Sequence, residues 1–212
     1  MVRIIGCTAV LAVLALIVPA DAGDWKSLFN GQDLSGWQAI DGPISSWNVE
    51  DGLLYCSGGG GRGWLSTQDE YANFELELEF RVPPDGNSGV FLRAPHKGNP
   101  AYEGMEIQIL DDRSGKYPNL KPWQYCGSLY DVEPPKTEAS KPAGEWQKMH
   151  ILCNGRNVKV TLNDTPIIDA NVDGYKDKEP AHPGLKRTSG YVGLQNHGTR
   201  LDFRNIRIRE LP

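Results

Sequence analysis

Hydrophobic and polar residues alternate along much of the chain, which is the pattern of β-strands that bury one face. Residues 73–82 (NFELELEFRV) show it most clearly, because every second side chain is apolar and most of the others are charged. Four further segments have the same β character: 146–153, 157–162, 190–195 and 201–208. Asn163-Asp164, between two such runs, predicts a hairpin turn. Since 24 glycines and 15 prolines interrupt the windows that a helix would need, the pattern predicts a single all-β domain, a sandwich or jelly roll.

The first 22 residues differ from the rest and predict a signal peptide. Arg3 supplies a short positive region, residues 8–18 are almost entirely apolar, and Ala-Asp-Ala at 20–22 offers small residues for cleavage. The apolar run is shorter than the roughly 20 residues of a membrane-spanning helix, although an uncleaved N-terminal anchor is the alternative. We therefore expect an exported protein, periplasmic or extracellular. Residues 23–212 would be its folded domain, with no stable membrane insertion after cleavage.

Composition narrows the possible functions. With 39% hydrophobic residues the chain can build a core, which excludes an intrinsically disordered protein. Its 22 Lys and Arg against 27 Asp and Glu, with no basic run, argue against a nucleic-acid partner. Signal cleavage would leave Cys56, Cys126 and Cys153, so at most one disulfide can form. We expect buried thiols, above all for Cys56 and Cys153, which lie in apolar runs.

Three segments carry polar side chains on the face opposite to their apolar ones. In residues 87–93, 105–111 and 191–197, alternate apolar positions predict the core side. The other side then carries six polar side chains: Asn87, Arg93, Glu106, Gln108, Gln195 and His197. If these strands belong to one sheet, an acid, a cation, amides and an imidazole converge on its outer surface and predict a polar ligand site. An ordinary solvated sheet face is the alternative interpretation.

Long loops and the aromatic residues beside them favour a carbohydrate ligand. Residues 112–121, 133–144 and 173–186 are predicted loops, and loops of this length in a sandwich often bind ligands. Five aromatic residues lie beside long loops: Trp123, Tyr125, Tyr130, Tyr102 and Tyr117. Of these, Trp123 and Tyr125 are the predicted substrate-binding residues. Flat rings of this kind stack on the apolar faces of sugars, although aromatic side chains also fill sandwich cores.

Six motifs follow one another between residues 25 and 211. They are FNG (29–31) with LSGW (34–37), NSGVFLR (87–93), YEGMEIQILD (102–111), GEW (144–146), GLQNHG (193–198) and FRNI (203–206). In this order they resemble the 3-keto-disaccharide hydrolase family, also described as 3-keto-glucoside lyases and 3-keto-2-hydroxyglucal hydratases. The resemblance implies a concanavalin A-like jelly-roll β-sandwich. One departure is Asn196, which stands where the family commonly has an acidic residue and so argues against a metal-ligating or histidine-orienting role at that position.

The resemblance implies a carbohydrate-active enzyme that cleaves 3-keto-glycosides by elimination between C1 and C2, followed by hydration. A ketone at C3 acidifies the proton on C2, so the site needs a base, an electrophile for the enolate oxygen and a proton source for the leaving group. Glu106 and His197 would be the base and the acid, in either order, and Arg93 the electrophile. A divalent metal held by Glu106 and His197 is the alternative electrophile, which leaves the cofactor open.

The expected partner is a carbohydrate substrate. The amides of Asn87, Gln108 and Gln195 suit sugar hydroxyls, and the rings of Trp123 and Tyr125 would add stacking contacts. A 3-keto substrate also implies a functional link to a sugar 3-oxidoreductase that produces it.

Two functions of other classes fit parts of the same pattern. EIQILD (106–111) resembles the Glu-x-Asp-x-x-Glu strand of laminarinase-type retaining glycoside hydrolases, which need two carboxyl groups about 5–5.5 Å apart. Here the middle position is Gln108, and strand alternation places Asp111 on the core side, which weakens this alternative. A non-catalytic carbohydrate-binding module would use the same aromatic residues and the same fold.

Overall fold

The computed structural model describes residues 23–212, so the predicted signal peptide lies outside the described residues. These residues form two antiparallel sheets, one of eight strands and one of five, which confirms the predicted all-β sandwich. In chain order the strands are β1 (Lys26–Ser27), β2 (Trp37–Ile40), β3 (Trp47–Glu50), β4 (Leu53–Cys56), β5 (Gly63–Tyr71), β6 (Phe74–Arg81), β7 (Asn87–Ala94), β8 (Met105–Leu110), β9 (Gln147–Asn154), β10 (Asn157–Leu162), β11 (Thr165–Asn171), β12 (Gly190–Asn196) and β13 (Leu201–Glu210).

The order of the strands brings distant parts of the chain together. The larger sheet runs β11-β10-β9-β6-β13-β4-β3, with β1 paired to β13, and the smaller sheet runs β2-β5-β12-β7-β8. The five segments predicted from alternation correspond to β6, β9, β10, β12 and β13, with ends that differ by no more than two residues. The segment of β5 lacks a clean alternation and was not predicted, yet it lies inside the smaller sheet beside β12.

The core lies between the two sheets, and the larger sheet shows how alternation builds it. The apolar side chains of β6 are buried against the smaller sheet, whereas its three glutamates face arginines of β13 on the outer surface. The pairs are Glu75–Arg209, Glu77–Arg207 and Glu79–Arg204. The outer face of the larger sheet is therefore an ion-paired, solvated surface.

Helical segments are short and lie in the connections. One α-helix, α1, spans Pro100–Glu103, and 3₁₀ turns span Ile44–Ser46, Pro122–Gln124, Val172–Tyr175 and Pro183–Lys186. The three predicted loops contain no strand, as expected. Within residues 23–212, none of the helices is long and apolar enough to cross a membrane.

The predicted hairpin turn is confirmed. Leu162 of β10 pairs with Thr165 of β11, so the loop contains only Asn163 and Asp164. Both loop residues have positive φ, at 49° and 65°. Two left-handed residues in a two-residue loop make the type I′ turn, whose twist matches that of the flanking strands.

The three cysteines in the described residues are buried and unpaired, as expected. Cys56 lies in β4 and Cys153 in β9, both inside the core, and Cys126 follows the 3₁₀ turn Pro122–Gln124. Burial raises the pKa of Cys126 and of Cys153 to about 12. Both thiols therefore stay protonated and act as apolar core groups.

Candidate functional site

The smaller sheet carries a pocket of about 390 Å³ on its outer face, within the size range of small-molecule sites. Strands β5, β7, β8 and β12 supply its floor, and the turn after β2, the segment entering α1 and Tyr130 complete its walls. The three segments predicted to share a polar face correspond to β7, β8 and β12, the last extended by His197, and these strands are neighbours in this sheet. Five of the six predicted polar residues line the pocket: Asn87, Glu106, Gln108, Gln195 and His197.

Glu106 lies on the floor of this pocket and is only 3% exposed. It pairs across the sheet with Phe91 of β7, and its carboxylate leans over Gly89, where a Cβ atom would overlap it. The cross-strand partner of Gly89 is Gln108. Because Gly89 has no side chain, it leaves room for the carboxylate of the neighbouring Glu106. Burial raises the pKa of Glu106 to about 8, because a charged carboxylate loses its hydration there. At neutral pH this side chain is therefore mostly a protonated acid.

His197 follows the last residue of β12 and is exposed at the rim of the pocket. Partial desolvation of its ring, and then the positive charges of Arg62 and Lys116, lower its pKa. At neutral pH the imidazole is therefore predominantly uncharged and able to accept a proton. The neighbouring Asn196 is held in place, since its Nδ2 donates to Gly59 O at 3.0 Å and its Oδ1 accepts from Gly198 N at 3.0 Å.

Trp64 of β5 forms the apolar part of the floor and is 2% exposed. Its indole lies over Gly193, where a Cβ atom would overlap the six-membered ring. The ring meets Phe91 edge to face, with centroids 5.5 Å apart and an interplanar angle of 85°. Together with Ala94 and Ala101, these two aromatic residues form a second, small hydrophobic cluster on the pocket side of the sheet.

Tyr102 and Tyr130 form one wall of the pocket, with ring centroids 6.4 Å apart. Behind this wall the ring of His182 lies 4.7 Å from that of Tyr102, and its Nε2 is 3.2 Å from Asp131 Oδ2. Burial, followed by the proximity of Tyr130, Asp131 and Glu106, raises the pKa of Tyr102. The Tyr102 hydroxyl therefore stays protonated and can donate a hydrogen bond.

Several polar atoms of the pocket residues have no hydrogen-bond partner among the described residues. Trp64 Nε1, Asn87 Oδ1 and Gln195 Oε1 are buried and unpaired. By contrast, Gln108 Oε1 accepts from Ile109 N at 3.0 Å. Leaving a buried donor or acceptor unpaired costs about 1–3 kcal/mol, so three such atoms in one pocket indicate a site built for a polar ligand.

The prediction that Arg93 shares the outer face with Glu106 is wrong. Leu92 and Arg93 of β7 together face one residue of β12, which is a β-bulge, and Arg93 has a positive φ of 49°. The bulge breaks the alternation and turns the side chain away from the pocket. Its guanidinium instead donates to the carbonyl oxygens of Ala72 at 2.6 Å and Gly155 at 2.8 Å, and it is 1% exposed. Arg93 holds loops together and does not line the pocket.

Trp123 and Tyr125 do not line the pocket either, contrary to the prediction. The half-buried Trp123 ring lies under Lys178, whose Nζ is 5.1 Å from the ring centroid. The chain then returns along the free edge of β8, where Tyr130 N donates to Glu106 O at 2.9 Å. Tyr130, five residues beyond Tyr125, is therefore the aromatic side chain from this segment that reaches the pocket.

The described residues offer little support for a metal site. No group of three or more His, Cys, Asp or Glu side chains within residues 23–212 is arranged to hold an ion. Asp41, Glu106 and His197 line the same pocket, but they do not form such a group, and catalytic metal sites commonly use three protein ligands.

The main contributor that the sequence did not reveal is Trp64. Its strand has no regular alternation, and the role of its ring depends on pairing with β12, which lies about 130 positions later along the chain. The glycines of the motifs NSGVFLR and GLQNHG were a usable signal, because Gly89 and Gly193 occupy outward positions where a side chain would fill the pocket floor.

Comparison with known proteins agrees with this architecture. A curated relative, the 3-keto-disaccharide hydrolase of Bacteroides thetaiotaomicron, is 30% identical over 93% of this chain and 82% of its own. The crystal structure of a candidate glycosyl hydrolase from Parabacteroides distasonis has a TM-score of 0.77 and 32% identity, over 89% of this chain and 100% of that one. An endo-beta-1,3(4)-glucanase of family GH16 shares the fold alone, with a TM-score of 0.57 and 11% identity over 93% of both chains.

Fold and pocket together define a concanavalin A-like jelly-roll protein with a candidate ligand pocket on one sheet. The model of the 3-keto-alpha-glucoside-1,2-lyase-like domain matches residues 24–209, nearly the whole described chain. The protein belongs to this family, as its motifs indicated.

Proposed function

We propose that this protein cleaves 3-keto-glycosides by elimination at C1–C2 and then hydrates the product, giving net hydrolysis. The observation that carries the proposal is the opposite protonation of two groups in one pocket. Burial keeps Glu106 protonated, with a pKa of about 8, whereas His197 has a lowered pKa and is uncharged. Environments that push two pKa values apart define an acid and a base. Elimination from a 3-keto sugar needs both.

In the elimination step His197 accepts the proton from C2. The electron pair of that C–H bond first forms an enolate, with the C2–C3 double bond and the negative charge on the C3 oxygen. The C3 carbonyl then re-forms, and the pair makes the C1–C2 double bond as the bond from C1 to the leaving oxygen breaks. Glu106 donates its proton to that oxygen, so the aglycone leaves as a neutral alcohol. The product in the pocket is a 3-keto-2-hydroxyglucal, and the enzyme holds a protonated His197 and an ionised Glu106.

Hydration uses the same two groups in reverse. Ionised Glu106 takes a proton from a water molecule as its oxygen bonds to C1, and protonated His197 returns a proton to C2. Both side chains regain their starting states, and the product is the free 3-keto sugar. One molecule of water is consumed in each cycle, which makes the net reaction a hydrolysis.

The enolate oxygen that develops at C3 needs a hydrogen-bond donor or a cation. Arg93 does not supply it, because its guanidinium is bound to backbone carbonyl groups. None of these steps involves a metal, because Glu106 and His197 belong to no group of three possible ligands within residues 23–212. The amides of Asn87 and Gln195, whose buried oxygens lack partners, are free to accept from sugar hydroxyls.

A conventional retaining hydrolase is a weaker candidate. Gln108 replaces the middle carboxylate of the laminarinase-type strand. Asp111 Oδ2 accepts from Asp85 N at 3.0 Å, and the residue does not line the pocket. Glu106 therefore lacks the second carboxylate that this strand would provide as its partner.

The test is release of aglycone by the purified protein from a 3-keto-glucoside and from its unoxidised parent, with and without a chelator. Cleavage of the keto form alone supports elimination, because only there is the C2 proton acidic. Cleavage of the parent would overturn the mechanism in favour of conventional hydrolysis, and sugar binding without cleavage would make the protein a binding module. Loss of activity on chelation would support a divalent metal as the electrophile.

We also propose that the protein acts after export, in the periplasm or outside the cell, and that a sugar 3-oxidoreductase supplies its substrate. The predicted signal peptide supports export, and the chemistry supports the oxidising partner. N-terminal sequencing of the protein from cell fractions tests the first proposal, since a mature chain that begins at Gly23 is expected.

A further inference from the structure

We propose that Trp64 is a catalytic residue, whose indole N–H donates a hydrogen bond to the C3 carbonyl oxygen of the substrate and holds the enolate that forms there. The inference rests on the proposed elimination, which needs a donor at this oxygen. Trp64 would then stabilise the enolate, the role that the sequence had assigned to Arg93.

Trp64 has a buried hydrogen-bond donor without a partner. Four buried side-chain polar atoms of the described residues lack a partner, and two of them, Asn87 Oδ1 and Gln195 Oε1, are acceptors. The remaining two are donors, Arg209 Nε and Trp64 Nε1. Arg209 lies on β13 in the other sheet, so Trp64 supplies the unpaired buried donor of the pocket.

The indole of Trp64 is fixed in position by its neighbours. Its six-membered ring lies on the Cα of Gly193, and the rings of Phe91 and His96 contact it at centroid distances of 5.5 and 5.7 Å. His96 is itself held, because its Nε2 is 2.9 Å from Ser66 Oγ and its ring stacks on Tyr191 at 3.7 Å. A donor that is already oriented needs no reorganisation as charge develops on the substrate, which is the condition for strong electrostatic catalysis.

The indole N–H must also become accessible to the substrate. Trp64 Nε1 is shielded from solvent, and Gln195 is the residue that pairs with Trp64 across strands β12 and β5. Gln195 is only partly buried and its Oε1 has no partner, so its side chain can move without losing a hydrogen bond at that oxygen. The proposed hydrogen bond therefore requires the sugar to displace this side chain, which would bring the N–H to the carbonyl and the amide oxygen to an adjacent hydroxyl.

The test compares Trp64→Phe, which removes the N–H and keeps an aromatic ring, with Trp37→Phe. Trp37 is a matched control, since it is 4% exposed, lies away from the pocket, and donates from Nε1 to Leu28 O at 2.7 Å. We expect Trp64→Phe to lower kcat on a 3-keto-glucoside about 10²-fold, the usual effect of removing one donor to an oxyanion. Trp37→Phe should lower the urea midpoint of unfolding and leave kcat unchanged.

A binding measurement separates this inference from the proposed function. The probe is a 3-keto sugar with hydrogen in place of the C1 leaving group, followed by the indole N–H signals of the six tryptophans in a ¹H–¹⁵N spectrum. The Trp64 signal, identified by its absence in Trp64→Phe, should move downfield with the keto sugar and much less with its 3-hydroxy parent. If the wild type cleaves a 3-keto-glucoside and binds the probe while this signal stays in place, or if Trp64→Phe keeps the wild-type kcat, the role of Trp64 is refuted and the proposed function stands. If the wild type does not cleave the 3-keto-glucoside, both fall.

Discussion

Replacing Glu106 by glutamine should change how the stability of the fold depends on pH. The pKa of Glu106 rises from 4.5 to about 8 on folding because the carboxyl is buried. The folded state then binds a proton that the unfolded state releases between these two values, so the free energy of unfolding falls as pH rises through this window. A rise of about 3.5 in pKa, at about 1.4 kcal/mol for each pKa unit, lowers the free energy of unfolding by about 5 kcal/mol across this window. Glutamine does not titrate, so Glu106→Gln removes this loss.

The assay is urea unfolding of both proteins at intervals from pH 5 to pH 9. The difference in unfolding free energy should move steadily in favour of Glu106→Gln as pH rises, and level off above pH 8. Glu79→Gln is the control: although partial burial opposes it, hydrogen bonds from Asn205 and Arg204 lower the pKa of Glu79, so this carboxylate is ionised throughout the range. If the unfolding free energies of the wild type and of Glu106→Gln change in parallel across this pH range, the conclusion that Glu106 is a buried, protonated acid is refuted.

Three further outcomes are expected. Gly89→Ala should displace the Glu106 carboxylate and lower kcat/KM at least about 10-fold in the aglycone-release assay. Gly174→Ala is the control and should leave kcat/KM unchanged, because a Cβ atom there meets nothing within 4 Å. Equal activities of the two variants would contradict the packing of Glu106 over Gly89. Arg93→Met should lower the unfolding free energy in urea by at least about 2 kcal/mol, because it removes the hydrogen bonds from the buried guanidinium to the carbonyl oxygens of Ala72 and Gly155. Unchanged stability together with lost turnover would instead place Arg93 in the site. The pH profile of kcat/KM should be bell-shaped, falling on the acid side as His197 gains a proton and on the alkaline side near pH 8 as Glu106 loses its own; a profile flat through pH 8 would exclude Glu106 as the acid.

Alternation along single strands was enough to predict much of the pocket. It placed Glu106, Gln108 and Gln195 opposite to their apolar neighbours, and the structure brings all three to one pocket. It failed at Arg93 because a bulge shifts the register by one residue, and a shift of one residue reverses the face of a side chain. No local pattern announces that bulge.

The aromatic residues show the same division. Their position beside loops suggested a sugar site and named Tyr102 and Tyr130, which line the pocket, but the choice of Trp123 and Tyr125 as the substrate-binding residues was wrong. Tyr130 reaches the pocket because its segment pairs with the edge of β8, and Trp64 because β5 lies beside β12. These are contacts between residues far apart in the chain, so proximity to a loop could not decide which aromatic side chains reach the pocket.

The sequence by itself therefore determined the β architecture, the faces of its regular strands, the hairpin turn at Asn163-Asp164 and the family. These depend on local periodicity, on turn chemistry and on short motifs, each of which can be recognised within a short segment of the sequence. Only the tertiary structure decided that Glu106 is buried over Gly89, that Arg93 turns away and that Trp64 completes the floor. Burial and strand register arise from non-local packing, and it is this packing that raises the pKa of Glu106 and leaves the Trp64 N–H without a partner.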